Sequence, residues 1–156
     1  METIINYLNK NQKTISTMES ATGGFLASSI TNISGSSLVF KFGAVTYSNE
    51  FKIKMGVSEE IIDEYSVYSL ETARDMSLKI SEFTNSDYGV GVTGKINSPD
   101  PNNDYGDDST IYLSIYDQLN NKYYTKIILA KNQSREENKK LIVLEFIKLF
   151  KSIIKE

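Results

Sequence analysis

A chain of 156 residues with 40% hydrophobic and 24% charged side chains has the size and balance of one globular domain with a buried core, not of a disordered segment. Its net charge of −3, with lysines dispersed apart from a cluster in the last helix, argues against nucleic-acid binding, which needs a concentrated basic face. No apolar run nears the roughly 18 residues that span a bilayer. Cysteine is absent, which removes disulfides, thiolate zinc sites and thiol nucleophiles. Histidine is absent too, which removes the usual base near neutral pH and the usual metal ligand. Any proton transfer must therefore use lysine, a carboxylate or tyrosine. The first residues, Met1 to Asn6, lack the basic region and cleavage site of a secretory signal, so a cytoplasmic location is expected.

In chain order, Ile4 to Leu8 carry apolar residues at helical spacing. Thr14 to Met18 reads as a short β-branched strand. The turn Ser20-Ala21-Thr22-Gly23-Gly24 follows, and Phe25, Leu26, Ser29 and Ile30 mark one face of a helix. Ser34 to Ser37 is a loop, Gly43 to Tyr47 a second strand, and Asn49 a cap for a short helix carrying Lys52. Ser58 caps another helix. Ser69 caps a longer one whose inner face is Leu70, Ala73, Met76, Ile80 and Phe83.

Asp87 to Thr93 is a third strand, and Lys95 to Asp108 a long polar loop of the kind usually functional or mobile. Thr110 to Tyr116 and Tyr123 to Leu129 alternate as strands joined at Asn120-Asn121. Ser134 and Glu137 form a capping box. The closing helix is expected to bury Leu141, Leu144, Ile147, Phe150 and Ile154. The order predicts an α/β fold: one domain over residues 1–156, a three-layer α/β/α sandwich. Its mixed, mainly parallel sheet has about five strands and ends in a hairpin and a C-terminal helix.

Three motif matches lack their required context. Gly89-Val90-Gly91-Val92-Thr93-Gly94 fits the dinucleotide fingerprint in letters, but here the glycines are the strand itself and no helix follows. The same run with Lys95 mimics a phosphate loop, yet Ile96 stands where Mg²⁺ needs serine or threonine. Asp100 to Gly106 is similar to a calcium loop with its glycine one place late and no closing glutamate.

The turn at Ser20 is different. A strand passing straight into a helix gathers backbone N–H groups and the positive helix end beside an accessible serine oxygen. Spacing alone leaves two readings open: a nucleophile site, or a serine or threonine cap with glycines permitting a tight turn.

The residues of this turn, Glu19-Ser20-Ala21-Thr22-Gly23-Gly24, resemble the Glu-Ser-Cys-Thr-Gly-Gly signature of the CinA C-terminal, or nicotinamide-nucleotide amidase, family. The likeness continues in order. Ser34 to Ser37 resembles the family's Gly-Ser-Ser loop, and Gly43 to Lys52 resembles its Val-Thr-Tyr-Ser-Asn-Glu-Ala-Lys segment almost residue for residue. Met55-Gly56-Val57, the stretch from Val67 to Met76, Val92-Thr93-Gly94, and a basic pair spanning Arg135 to Lys139 also have counterparts.

The resemblance implies a serine–lysine amidohydrolase that converts nicotinamide mononucleotide to nicotinate mononucleotide. Ser20 would be the nucleophile, Lys52 its base, and Tyr47 a pocket wall or proton-transfer aid. Thr22, Gly23 and Gly24 would form the turn that meets substrate, Thr93 would contact it, and Arg135 would face its phosphate. The implied partners are a small-molecule nucleotide and a second copy of the chain, as homodimer or higher oligomer. No metal, organic cofactor, nucleic acid or membrane is implied. A lysine base suits a histidine-free chain where burial lowers its pKa toward neutrality.

The pattern departs at Lys95 to Pro101 and Asp107 to Ile111, where the family has glycine-rich sequence, and at Tyr65-Ser66. These changes fall on the substrate side. They motivate an alternative: a divergent member that binds a nucleotide or protein without catalysis.

Overall fold

The computed structural model describes residues 1–154. Among these residues six α-helices and five strands follow in the order α1 (Glu2–Lys10), β1 (Ile15–Glu19), α2 (Phe25–Thr31), β2 (Phe40–Val45), α3 (Asn49–Lys54), α4 (Glu59–Tyr65), α5 (Leu70–Thr84), β3 (Tyr88–Gly94), β4 (Thr110–Asp117), β5 (Lys122–Leu129) and α6 (Arg135–Ile154), with a short 3-10 turn at Ser36–Leu38 before β2. The sheet order is β2-β1-β3-β4-β5. β1 pairs in parallel with β2 and β3, whereas β3–β4 and β4–β5 are antiparallel, so only β4 runs against the rest. The expected mixed sheet is present, with four strands sharing one direction.

Two cores lie on its two faces. One joins α1, α2 and α6 to the sheet through Ile5, Leu8, Leu26, Val90, Leu113, Phe146 and Phe150. The other joins α3, α4 and α5 through Met18, Val57, Ile62, Met76 and Ile80. A sheet covered on both faces explains why β1 and β3 read as short runs buried throughout rather than as clean alternations.

Gly89 and Gly91 seat α5. A methyl group on Gly89 would lie 1.9 Å from the Ser77 carbonyl oxygen, and one on Gly91 would lie 2.3 Å from that of Ala73. The glycines of β3 let a helix backbone approach the sheet, which is the role that the nucleotide-fingerprint spacing imitates.

That close approach also corrects the expected inner face of α5. Ala73, Met76 and Ile80 are buried as expected, but Thr72, Asp75, Ser77 and Ser81 join them while Leu70 is only half-buried, so small and polar residues share the face with the apolar ones. Phe83 is 65% exposed and lies against Phe42 on the surface, ring centroids 5.7 Å apart. In α6 the buried row is Asn138, Ile142, Val143, Phe146 and Phe150. Leu144 is exposed, while Leu141, Ile147 and Ile154 only flank the core. The row turns by one residue because Asn138 faces inward, accepting from the Lys131 amide at 2.8 Å and donating to the Lys131 carbonyl at 3.0 Å.

Two boundaries also move. β2 begins at Phe40 and ends at Val45, in register with Ile15 to Glu19. The cap of α3 is Ser48, whose hydroxyl accepts from the Phe51 amide, and Asn49 is the first helical residue. The capping box of α6 forms as expected: Glu137 N–H donates to Ser134 Oγ and Ser134 N–H to Glu137 Oε2, both at 3.1 Å.

Candidate active site

In a 2-1-3 strand order the connections leave β1 in opposite directions, and a crevice opens beyond the carboxyl ends of β1 and β3. A cavity of about 630 Å³ occupies that place, lined by Ser20 and Ala21 after β1, by Gly94, Lys95 and Ile96 after β3, and by Tyr47, Ser48 and Asn49 after β2. The loop after β3 and the start of α6 complete it with Asp100, Asn103 and Arg135. Its size suits a nucleotide-sized ligand.

Ser20 continues β1, its amide donating to the Val92 carbonyl at 2.9 Å. The next residues reverse the chain through Gly23 at φ 58° and Gly24 at φ 93°, a left-handed pair that favours glycine. The same turn hides a residue that sequence reasoning left without a role. Glu19 is 1% exposed. Its carboxylate accepts from the Thr22 hydroxyl (2.6 Å) and from the amides of Gly24 (3.1 Å), Leu26 (3.0 Å) and Ala27 (2.8 Å). The amino end of α2, expected to face substrate, is instead filled from within by this carboxylate. The available signal was an acidic residue placed just before a glycine turn and a helix start.

Lys52 is 1% exposed, the one charged side chain among the large fully buried ones of the described residues. One helical turn after Ser48, it reaches back under the sheet end, where Nζ donates to the Thr46 carbonyl at 2.9 Å and lies 3.1 Å from Ser20 Oγ. Burial pushes its pKa down from 10.5 to about 8, against an opposing pull from the Asp100 carboxylate. A neutral amine in this position has a lone pair free to accept the serine proton.

The other residues singled out by sequence separate into two groups. Tyr47 and Arg135 line the cavity, Tyr47 at 68% exposure at its mouth and Arg135 donating to the Ile96 carbonyl at 2.9 Å. Thr22, Gly23 and Gly24 shape the turn but do not line the cavity. Thr93 is fully buried and donates its hydroxyl to the Val67 carbonyl at 2.9 Å, tying β3 to the segment before α5 rather than facing the cavity.

The polar loop is built into the site. Asp100 Oδ2 accepts from the Tyr68 hydroxyl and from Asn103 Nδ2 (2.7 Å), Asp100 Oδ1 accepts from the Asn102 amide (3.0 Å), and Asn103 Oδ1 accepts from Asn49 Nδ2 at 2.8 Å. Lys95 pairs with Asp108 at 3.2 Å and lies over the Tyr68 ring, 5.2 Å from its centroid. Burial and then the Asp100 bond hold the Tyr68 hydroxyl well above the ordinary tyrosine range.

Comparison with known proteins bears on this geometry. A family model described as the CinA C-terminal domain matches residues 1–154. A CinA-like protein of Kosmotoga olearia is 35% identical over 150 residues, covering 94% of this chain and 36% of that protein. A CinA-like protein of Endomicrobium trichonymphae is 48% identical over 88 residues, covering 56% of this chain and 21% of that protein. The chain thus spans little more than a third, or less, of these relatives. Among solved structures, the competence/damage inducible protein CihA from Agrobacterium tumefaciens superposes with a TM-score of 0.81 at 27% identity, covering 94% of this chain and 91% of that one. A CinA superfamily protein from Escherichia coli reaches a TM-score of 0.87 at 23% identity, covering 98% and 87%, a likeness of fold.

Proposed function

The chain belongs to the CinA C-terminal domain family, and from that premise we propose that it is a serine–lysine amidohydrolase acting on nicotinamide mononucleotide. The observation that carries this reading is the 3.1 Å approach of a buried, pKa-lowered Lys52 to Ser20 in a chain without histidine.

With Lys52 neutral, the Ser20 hydroxyl donates to Nζ. Oγ attacks the carboxamide carbon, its proton passes to Nζ, and the carbonyl oxygen becomes an oxyanion. The turn amides of Ala21 and Thr22 are the donors nearest in sequence to the attacking oxygen; those of Gly23 and Gly24 are committed to the Ser20 carbonyl and to Glu19. Nζ then gives its proton to the leaving nitrogen, ammonia departs, and an ester remains on Ser20. Water repeats the sequence: it attacks the ester, its proton passes to Nζ and then to Ser20 Oγ, and nicotinate mononucleotide is released. The Thr46 carbonyl holds Nζ in place throughout. Arg135 serves the phosphate and Tyr47 walls the ring.

The test is to incubate the protein with nicotinamide mononucleotide and assay ammonia and nicotinate mononucleotide. Product should form, and Ser20→Ala or Lys52→Met should lose about a thousandfold or more of it while remaining folded. Binding without product in the wild-type protein, from neutral to mildly alkaline pH, would overturn catalysis and leave a nucleotide-binding member. Product from other small amides alone would overturn the substrate.

A further inference from the structure

Asp100 lies in the stretch where this sequence leaves its family's pattern, yet it is the most heavily bonded side chain of the cavity wall. Its carboxylate is fixed from three segments: Tyr68 before α5, Asn102 and Asn103 in its own loop, and, through Asn103, Asn49 at the head of the helix that carries Lys52. Burial works to raise its pKa, but these bonds and Lys95 hold it below the ordinary carboxylate range, so the group is an anion at neutral pH. A carboxylate accepts about four hydrogen bonds. Three protein donors leave one acceptor position.

The charges around it do not cancel in the reactive state. Lys95 is already paired with Asp108. Lys52, close enough for Asp100 to oppose its deprotonation, must be neutral for Ser20 to attack. Asp100 then lines the cavity with no ion-pair partner of its own, sharing only the field of Lys95 with Asp108, while Arg135, which forms no ion pair among the described residues, lines it without a matching anion. A ligand that carries both charges, with the positive one next to the amide under attack, completes the set.

We propose that Asp100 is a specificity-determining residue that selects a carboxamide borne on a cationic, N-substituted pyridinium ring over the same carboxamide on an uncharged ring. This rests on the amidase reading above. Tyr68 and Asn103 orient the carboxylate, and Lys52 in its neutral form leaves the charge for the substrate to meet.

The experiment compares nicotinamide mononucleotide with its reduced dihydropyridine form, which keeps the ribose, phosphate and carboxamide but loses the ring charge. kcat/KM for each is measured with the full chain as wild type, Asp100→Asn and Tyr68→Phe. The differing intrinsic reactivity of the two amides cancels when the selectivity ratios of two proteins are compared. Asp100→Asn should lower the ratio by about tenfold, nearly all of it from the cationic nucleotide. Tyr68→Phe, which keeps the charge, should move it less than about threefold, and added salt should erode the wild-type ratio but not that of Asp100→Asn.

Calorimetric binding of both nucleotides to Ser20→Ala, with and without Asp100→Asn, reads the same selection without turnover and also reports whether the variants hold a folded site. Turnover with a ratio that Asp100→Asn leaves unchanged overturns the selection and spares the amidase. A shifted binding ratio with no wild-type turnover overturns the amidase and spares the selection. A protein that neither binds nor turns over either nucleotide overturns both.

Discussion

Ser20 and Lys52 stand 32 positions apart in the chain and 3.1 Å apart in space. Two neighbouring parallel strands bring them together. β1 delivers the serine at its end, and β2 ends at Val45, after which one turn of α3 returns the lysine beneath it. The Thr46 carbonyl fixes the amine, and burial lowers its pKa into the range where a neutral fraction exists near neutral pH. The chemistry of the pair is therefore tied to a proton equilibrium within the ordinary pH range.

That equilibrium predicts the pH profile of turnover. With Lys52 at about 8, roughly a tenth of the molecules carry the neutral amine at pH 7 and half at pH 8. kcat/KM should rise with one proton lost, through an apparent pKa of about 8, and level off above it. Because the Asp100 charge favours the ammonium form, Asp100→Asn should move the rise to lower pH. A profile measured from about pH 6 to about pH 10 that stays flat would remove Lys52 from the role of base.

The same burial costs stability, and the sign is the reverse of an ordinary ion pair. The folded chain holds the Lys52 proton less tightly than the unfolded chain, so between about 8 and 10.5 the unfolded state binds more protons and stability rises with pH. Below about 8 the cost is complete and amounts to about 3 kcal/mol. Lys52→Met removes the charge and keeps the shape, but leaves the Thr46 carbonyl without its donor, a loss of about 1 kcal/mol. The variant should therefore be more stable than wild type by about 2 kcal/mol at pH 7, and the difference should vanish toward pH 10. Urea midpoints at several pH values measure it; a variant less stable at pH 7 contradicts the account.

Much of this was legible in the sequence because it rests on local rules. The Ser134–Glu137 box, the Asn120-Asn121 hairpin and the caps at Ser58 and Ser69 need only neighbours in the chain, and each forms. The proposed nucleophile and base, Ser20 and Lys52, were singled out through resemblance, not spacing, and the fold brings the two side chains together. What misled was tertiary: the inner faces of α5 and α6 are set by glycines on β3 and by Asn138, and neither shows in a hydrophobic period. The resemblance implies that Thr93 contacts substrate, yet its hydroxyl is turned to Val67. The Asp100 network joins segments 32 and 54 positions apart through polar side chains, which no periodicity reveals.

The glycines of β3 give a test of packing against ligand binding. Alanine at Gly91 would place its methyl 2.3 Å from the Ala73 carbonyl oxygen and 2.8 Å from the Ser77 nitrogen, both backbone atoms of α5 that cannot step aside singly. Gly91→Ala should lose about 3 kcal/mol or more, or fail to accumulate as soluble protein. Gly106→Ala meets nothing within 4 Å and carries only the strain of φ 78°, a loss of about 1 kcal/mol. Thermal denaturation of the pair checks the contrast, and a stable Gly91→Ala protein would refute the packing role.

Glu19 sets the last prediction, because it supports the nucleophile turn without lining the cavity. Its two oxygens receive the Thr22 hydroxyl and three backbone amides, with Thr17 Oγ1 a further donor at 3.3 Å. Glutamine has the same shape but turns one acceptor into a donor. With its oxygen toward Thr22, Gly24 and Leu26, its amide nitrogen meets the Ala27 N–H, donor against donor in a buried site. Glu19→Gln should therefore lose about 2–4 kcal/mol of stability. The turn should loosen where Ser20 is held, so kcat should fall more than KM rises. Urea denaturation reads the first effect and steady-state kinetics the second. A Glu19→Gln protein of wild-type stability would mean that the turn is held by its glycines alone, and one that loses stability but keeps kcat would mean that the carboxylate holds α2 and not the nucleophile.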